Sequence, residues 1–165
     1  MIYQYNENAY LKGNNLYKKY PHDAGWDIKA PNEVIIKPVS SVVINTGLHI
    51  YILPGLKGII QSRSGLSMNF QIESGNAGVI DSGFTGECKI RIYNNHSFEA
   101  FKFNKGDRIA QIVFDLSLTT KRLQTLKLWW KLFWQGIPQQ IPELDISQWP
   151  KTDRANNGYG STGMR

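Results

Sequence analysis

Cysteine is almost absent: Cys88 stands alone among 165 residues. That excludes an internal disulfide framework and points to a reducing compartment, cytoplasm or nucleus. A membrane-spanning helix is also missing. The longest apolar stretch, Leu126 to Trp134, is broken by Lys127 and Lys131 and falls well short of the roughly 20 residues that a bilayer requires. The opening residues Met1-Ile2-Tyr3-Gln4-Tyr5-Asn6-Glu7 have neither a basic start nor an apolar run, so no secretory signal is expected. No internal repeat and no low-complexity tract is visible. Residues 33–114 lack the sustained period of long helices, which argues against a doubly wound nucleotide fold. Acidic residues are the minority, 13 against 19 Lys and Arg, for a net charge of +6. Long-range attraction therefore favours nucleotides, nucleic acids and acidic membranes, although a modest positive balance also serves solubility.

What is present reads as one domain, residues 1–165, long enough to bury about two thirds of its unfolded surface and so to own a core. Between residues 33 and 114 short β-rich runs alternate with turn formers: Val34-Ile35-Ile36, Val42-Val43-Ile44, His49-Ile50-Tyr51-Ile52 and Gly58-Ile59-Ile60. In Cys88-Lys89-Ile90-Arg91-Ile92 apolar residues recur at every second position, the mark of a strand with one buried face. Pro38, Pro54-Gly55, Gly83 and Asn94-Asn95 sit where such strands turn. The expected fold is all-β, an antiparallel sandwich or jelly roll.

The exception is an insertion at about 119–140. Thr119 or Thr120 suits a helix N-cap, Gly136 a stop, and Pro138 forbids continuation, which predicts a helix of about four turns over 119–136. Leu123, Leu126, Trp130, Phe133 and Trp134 share one side at helical spacing, while Lys121, Lys127 and Lys131 do not join them. The expected cover for these rings is the body of the protein or a symmetry mate, with a protein partner or an anionic membrane as the alternatives. After Pro142 the chain becomes a polar, turn-rich arm, 142–165.

That arm carries Gly158-Tyr159-Gly160-Ser161-Thr162-Gly163 downstream of Arg154. Glycines and hydroxyls leave little to pack a core, but they let backbone N–H groups curl round an anion that a guanidinium clamps. Four more segments precede it: Ala24-Gly25-Trp26-Asp27-Ile28, Arg63-Ser64-Gly65-Leu66-Ser67, Gly78-Val79-Ile80-Asp81-Ser82-Gly83-Phe84-Thr85-Gly86-Glu87, and Gly106-Asp107-Arg108-Ile109-Ala110-Gln111. Singly, each has an ordinary structural reading. Asp81 before Ser-Gly is a turn former, Asp27 a surface turn residue, and Arg108 and Gln111 exposed strand residues; His22-Asp23 is poor support for direct metal ligation.

In this order the five segments resemble the five motifs of the trimeric dUTPase family, over most of the chain from Ala24 to Gly163. The resemblance implies a dUTPase-like jelly roll, or β-clip, and hydrolysis of dUTP to dUMP and pyrophosphate by magnesium-assisted, in-line attack of water on the α-phosphorus. It makes Asp81 the general base and a holder of the sugar 3′-hydroxyl. Gln111 then orients the water and an α-phosphate oxygen, and Asp27 meets Mg2+ through water, in its outer sphere. Arg63, Ser64 and Gly65 take the middle of the triphosphate. A hairpin from Asn76 through Gly78, Val79 and Ile80 reads uracil with backbone groups, and Phe84, where relatives carry tyrosine, lies under the deoxyribose. Arg154, Tyr159, Gly160, Ser161 and Thr162 close over uracil and the γ-phosphate, with tyrosine where phenylalanine is usual. Asp107 and Arg108 are expected to hold the fold by pairing.

Ala155 and Gly83 depart from the pattern without removing a catalytic group, and the stretch separating the fourth motif from the fifth is longer than usual. A homotrimer is implied, each site shared by three chains. Two rivals remain from the sequence: a dCTP deaminase of the same fold, which needs a further glutamate not seen near Asp81, and a nucleotide-switched regulatory protein that binds through the Trp-rich insertion.

Overall fold

A computed structural model describes residues 2–5, 16–20, 22–52, 55–75, 78–117, 126–127, 130, 133–134 and 151. Its strands are β1 (Ile2–Tyr5), β2 (Gly25–Lys29), β3 (Val34–Ile36), β4 (Ser40–Tyr51) and β5 (Leu56–Gln61). The short helix α1 (Ser64–Phe70) follows, then β6 (Ile72–Ser74), β7 (Val79–Asp81), β8 (Glu87–Asn94), β9 (Phe101–Phe103) and β10 (Arg108–Leu116). Two four-stranded antiparallel sheets, ordered β1-β4-β8-β6 and β2-β10-β5-β7, are joined by the small pair β3-β9. The fold is the expected all-β jelly-roll type.

Isoleucine builds the core. Ile28, Ile50, Ile60, Ile90, Ile92 and Ile112 are each at most 1 % exposed, branched side chains that suit a pleated, two-sided interior. The alternation from Cys88 to Ile92 is realised in β8, with Cys88, Ile90, Ile92 and Asn94 facing inward. Asn94 continues the series as a polar residue because its groups are satisfied. Its Nδ2 donates to the Ile36 and Glu99 carbonyls at 3.0 and 2.8 Å, and its Oδ1 accepts from the His96 N–H at 3.0 Å.

One local expectation changes. Val42–Ile44 and His49–Ile52 do not form separate strands: Val42 through Tyr51 runs within the single strand β4, whose register against β8 shifts between Asn45 and His49. Gly47, at φ 70°, absorbs the shift, its N–H donating to Glu87 Oε1 at 2.8 Å while Leu48 N–H donates to Thr46 Oγ1 at 3.1 Å. A bulge with its own hydrogen bonds lets one strand continue where composition reads a break. The chain passes from β6 in one sheet to β7 in the other, and Asn76, at the start of the segment expected to read a base, lies outside the described residues. Gly78, at φ 82°, takes a backbone conformation that side chains resist.

In the insertion, Leu126, Lys127, Trp130, Phe133 and Trp134 are helical as expected. The four apolar residues among them are 60 to 68 % exposed. The expected caps, Thr119 or Thr120 and Gly136, lie outside the described residues, as do Leu123 and the arm beyond Lys151.

Candidate active site

The site is built on the outer face of the sheet β2-β10-β5-β7. Along β2, Trp26 and Ile28 turn inward and Asp27 turns outward, following the strand's two-residue period. Asp27 is the register partner of Gln111 on β10, and Gln111 of Gln61 on β5. The chain leaving β5 passes through Ser62 and Arg63 into α1, whose N-cap is Arg63. One sheet row therefore gathers residues from three sequence segments.

Asp27 is held by two cations. Arg63 Nε donates to its Oδ1 and Arg108 Nη1 to its Oδ2, both at 3.0 Å. Its side chain is only 15 % exposed. Arg63 Nη1 also donates to the Arg108 carbonyl at 3.0 Å, so its guanidinium is fixed to β10 as well as to the carboxylate. Tyr17, bridged to Asp27 by reciprocal backbone bonds of 2.7 and 3.1 Å, lays its ring beside Lys29 and Arg108 at 5.4 and 6.0 Å from the centroid.

Arg108 is thus structural, but its partner is Asp27 rather than the neighbouring Asp107. Asp107 instead closes the turn before β10, its Oδ2 accepting the Asn104 N–H at 2.7 Å and its carbonyl the Ala30 N–H at 2.7 Å. Asp23 caps a turn, accepting the Tyr20 N–H at 2.9 Å.

Gln111 is oriented from two sides. Its Nε2 donates to the Ser62 carbonyl at 3.2 Å, and Ser62 in turn is tied to β6, its Oγ accepting the Ser74 N–H at 2.9 Å and donating to the Ser74 carbonyl at 3.2 Å. Gly25 supplies the room: a β-carbon there would lie 3.1 Å from Gln111 Oε1. Ser64 and Gly65 are exposed beside Arg63. A β-carbon on Gly65 would meet nothing within 4 Å, and its φ is ordinary, so nothing among the described residues demands glycine there.

Asp81 ends β7, and its carbonyl accepts the Phe84 N–H at 3.0 Å in the following turn. It does not join Gln111. Asp81 is the register partner of Lys57, and Asp115 is opposite Lys57 on the other side of β5. Four residues along β10 at about 3.3 Å each, and two strand spacings of about 4.8 Å, put the Asp81 and Gln111 Cα atoms on the order of 16 Å apart in one chain. Ile80 is buried, so a ligand beside β7 meets its backbone, whereas Val79 is half exposed. Phe84 belongs to the core cluster and is only 6 % exposed. Asn76, Arg154, Tyr159, Gly160, Ser161 and Thr162 lie outside the described residues.

Asp27, Arg63 and Gln111 are therefore brought together, with Ser64 and Gly65 alongside. Gly78, Val79, Ile80, Asp81 and Phe84 form a second, separate group. Sequence reasoning missed the partners that orient the first group: Arg108 toward Asp27, Ser62 toward Gln111, and Gly25 as the space for its amide. No spacing rule links Asp27 to Arg108; only the pairing of β2 with β10 does.

Among the described residues no group of three or more His, Cys, Asp or Glu could hold a metal. Both oxygens of Asp27 already accept from guanidiniums, which makes direct ligation poor. A magnesium ion that keeps its waters and is held chiefly by substrate phosphates asks only for a nearby carboxylate, and Asp27 fits that role.

Comparison with known proteins adds a separate line. A family model described as dUTPase matches residues 12–128. The deoxyuridine 5′-triphosphate nucleotidohydrolase of Fowlpox virus (strain NVSL) is 34 % identical over 166 residues, spanning 99 % of this chain and 97 % of its own. That of Zymomonas mobilis is 34 % identical over 142 residues, 86 % of this chain and 82 % of its own. Among solved structures, a mutant dUTPase from phage phi11 of S. aureus, described with a structural Mg(II) ion, superposes with a TM-score of 0.64 at 26 % identity. It covers 73 % of this chain and 94 % of the phage chain.

Proposed function

The chain belongs to the dUTPase family and hydrolyses dUTP, and from that premise we propose that it does so as a homotrimer whose active sites each combine groups from different copies. The observation that carries this is the separation of Asp81 from Gln111 within one chain. A general base must stand within hydrogen-bond reach of the water it deprotonates, and a rigid sheet holds these two residues roughly 16 Å apart. Asp81 of one copy facing Gln111 of another removes the conflict. Gly65 supports the same reading, because a glycine that nothing among the described residues requires has room beside it for a ligand or a neighbour.

In the assembled site, Gln111 holds the attacking water through its amide and contacts an α-phosphate oxygen, while Asp81 accepts the water's proton. The new bond joins the water oxygen to the α-phosphorus. The bond to the bridging oxygen breaks, and pyrophosphate leaves with that electron pair. Arg63 offers its guanidinium and Ser64 its hydroxyl to the oxygens that gain charge, with Gly65 giving close approach. Asp27 keeps Arg63 pointed and would hold magnesium through water. When bound, the metal neutralises phosphate charge.

Asn76 and the backbone of Gly78, Val79 and Ile80 read the uracil edge, where a cytosine would leave buried groups unpaired. Phe84 presents a ring edge to the deoxyribose. The arm, through Arg154, Tyr159, Gly160, Ser161 and Thr162, comes from a third copy and closes the site before reaction. The whole forms one domain with an insertion and an arm, working in cytoplasm or nucleus.

The test is complementation. Asp81→Asn and Gln111→Leu chains, each inactive alone, are unfolded together and refolded. If sites are shared, about one quarter of them regain both native groups by random assortment, and turnover returns to that fraction. If each site is built within one chain, the mixture stays inactive.

A further inference from the structure

The aromatic insertion plays no part in the chemistry above, nor does it belong to the core: the core cluster contains none of its described residues. Leu126, Trp130, Phe133 and Trp134 recur at helical spacing on one stripe and are 63, 60, 65 and 68 % exposed. Their rings touch, Trp130 to Trp134 at 5.8 Å and Phe133 to Trp134 at 5.6 Å between centroids. The patch is continuous, and large contiguous apolar surfaces mark binding sites. Lys127 is exposed on the same stretch. From Leu116 to Pro142 the chain carries Lys121, Arg122, Lys127 and Lys131 and neither Asp nor Glu.

We propose that this insertion is a membrane-surface anchor that lays its Trp/Phe/Leu stripe into the interface of an anionic phospholipid bilayer, its cationic residues meeting the lipid phosphates. Two features select lipid over other occupants. Tryptophan settles at headgroup depth, with an apolar body and a polar N–H, and Trp, Phe and Leu together make the apolar face of interfacial helices. An uninterrupted positive balance complements an anionic leaflet, whereas two copies meeting patch to patch would bring like charges together. Hydrolysis of dUTP does not require this attachment, and the attachment does not require the shared-site reading.

The full chain is sedimented with vesicles of phosphatidylcholine alone and of phosphatidylcholine with about 30 % phosphatidylglycerol, at low and high salt. Binding is expected to the anionic vesicles only, weakened by salt, with a blue shift of tryptophan emission. Trp130→Ala/Trp134→Ala should lower the vesicle partition at least tenfold, and Lys127→Glu on the order of fivefold or more, while both retain normal dUTP turnover. Equal partition of the double variant and the parent overturns the proposal. So does failure to bind anionic vesicles at low salt. A lipid-free self-association that the double variant abolishes also overturns it, because a second copy is then the occupant.

Discussion

A β-carbon added to Gly25 would stand 3.1 Å from Oε1 of Gln111, and 3.2 Å from the Ile112 carbonyl. The glycine is thus a space left for the Gln111 amide, held on its other side by the Ser62 carbonyl. Gly25→Ala should push that amide by a few tenths of an ångström. Misplacement of a water-orienting group costs turnover more than binding, so kcat is expected to fall roughly tenfold with KM nearly unchanged. Steady-state pyrophosphate release from dUTP measures both; a normal kcat would show that the amide tolerates the shift.

Asp27 joins two guanidiniums at 3.0 Å each. Asp27→Asn removes the charge and leaves Arg63 and Arg108 without their anion. Breaking charge-assisted bonds at a mostly buried carboxylate should cost on the order of 2 kcal/mol, tempered by the partial exposure of both arginines. Urea unfolding should show the loss as a lower midpoint with an unchanged slope, and KM for dUTP should rise because Arg63 is no longer held.

Asp81→Asn keeps the shape of the side chain but cannot take a proton at neutral pH. Turnover should drop by about a thousandfold or more while dUTP binding, followed by calorimetry, stays near that of the parent. Near-normal hydrolysis would remove Asp81 as the base.

Val39 has φ 50° and is 76 % exposed, a β-branched residue in the left-handed region with little packing to repay it. Val39→Gly relieves the clash of the β-carbon and partly offsets that gain by freeing the unfolded chain. A net stabilisation of roughly 0.5–1 kcal/mol is expected in urea unfolding.

Burial pushes the Cys88 thiol up from 9.0 to about 12, and the Glu87 carboxylate adds to the effect. The folded protein therefore keeps the thiol proton to higher pH than the unfolded chain does. The resulting stability is complete below pH 9 and is lost as pH climbs toward 12. Cys88→Ala should flatten that alkaline decline. A thiol reagent at neutral pH should react with the parent only in denaturant.

Alternation was readable wherever one face of a strand is buried, as in Cys88 to Ile92, because a two-residue period and a water-excluding core select the same side chains. It failed at β4, where the bulge at Gly47 is kept by hydrogen bonds to Glu87 and Thr46 that come from folding, not from local composition. For the site, residue types and their order along the chain were enough to single out Asp27, Arg63, Asp81 and Gln111. Nothing local could link Arg108 to Asp27, 81 residues away.

The amino-acid sequence alone thus determined the β architecture and the family, because burial period, turn chemistry and ordered motifs are written in neighbouring residues. Only the tertiary structure decided which groups meet. Strand register brings Asp27 and Gln111 face to face and carries Asp81 to another part of the same sheet, and register arises from packing between segments that are distant in the chain.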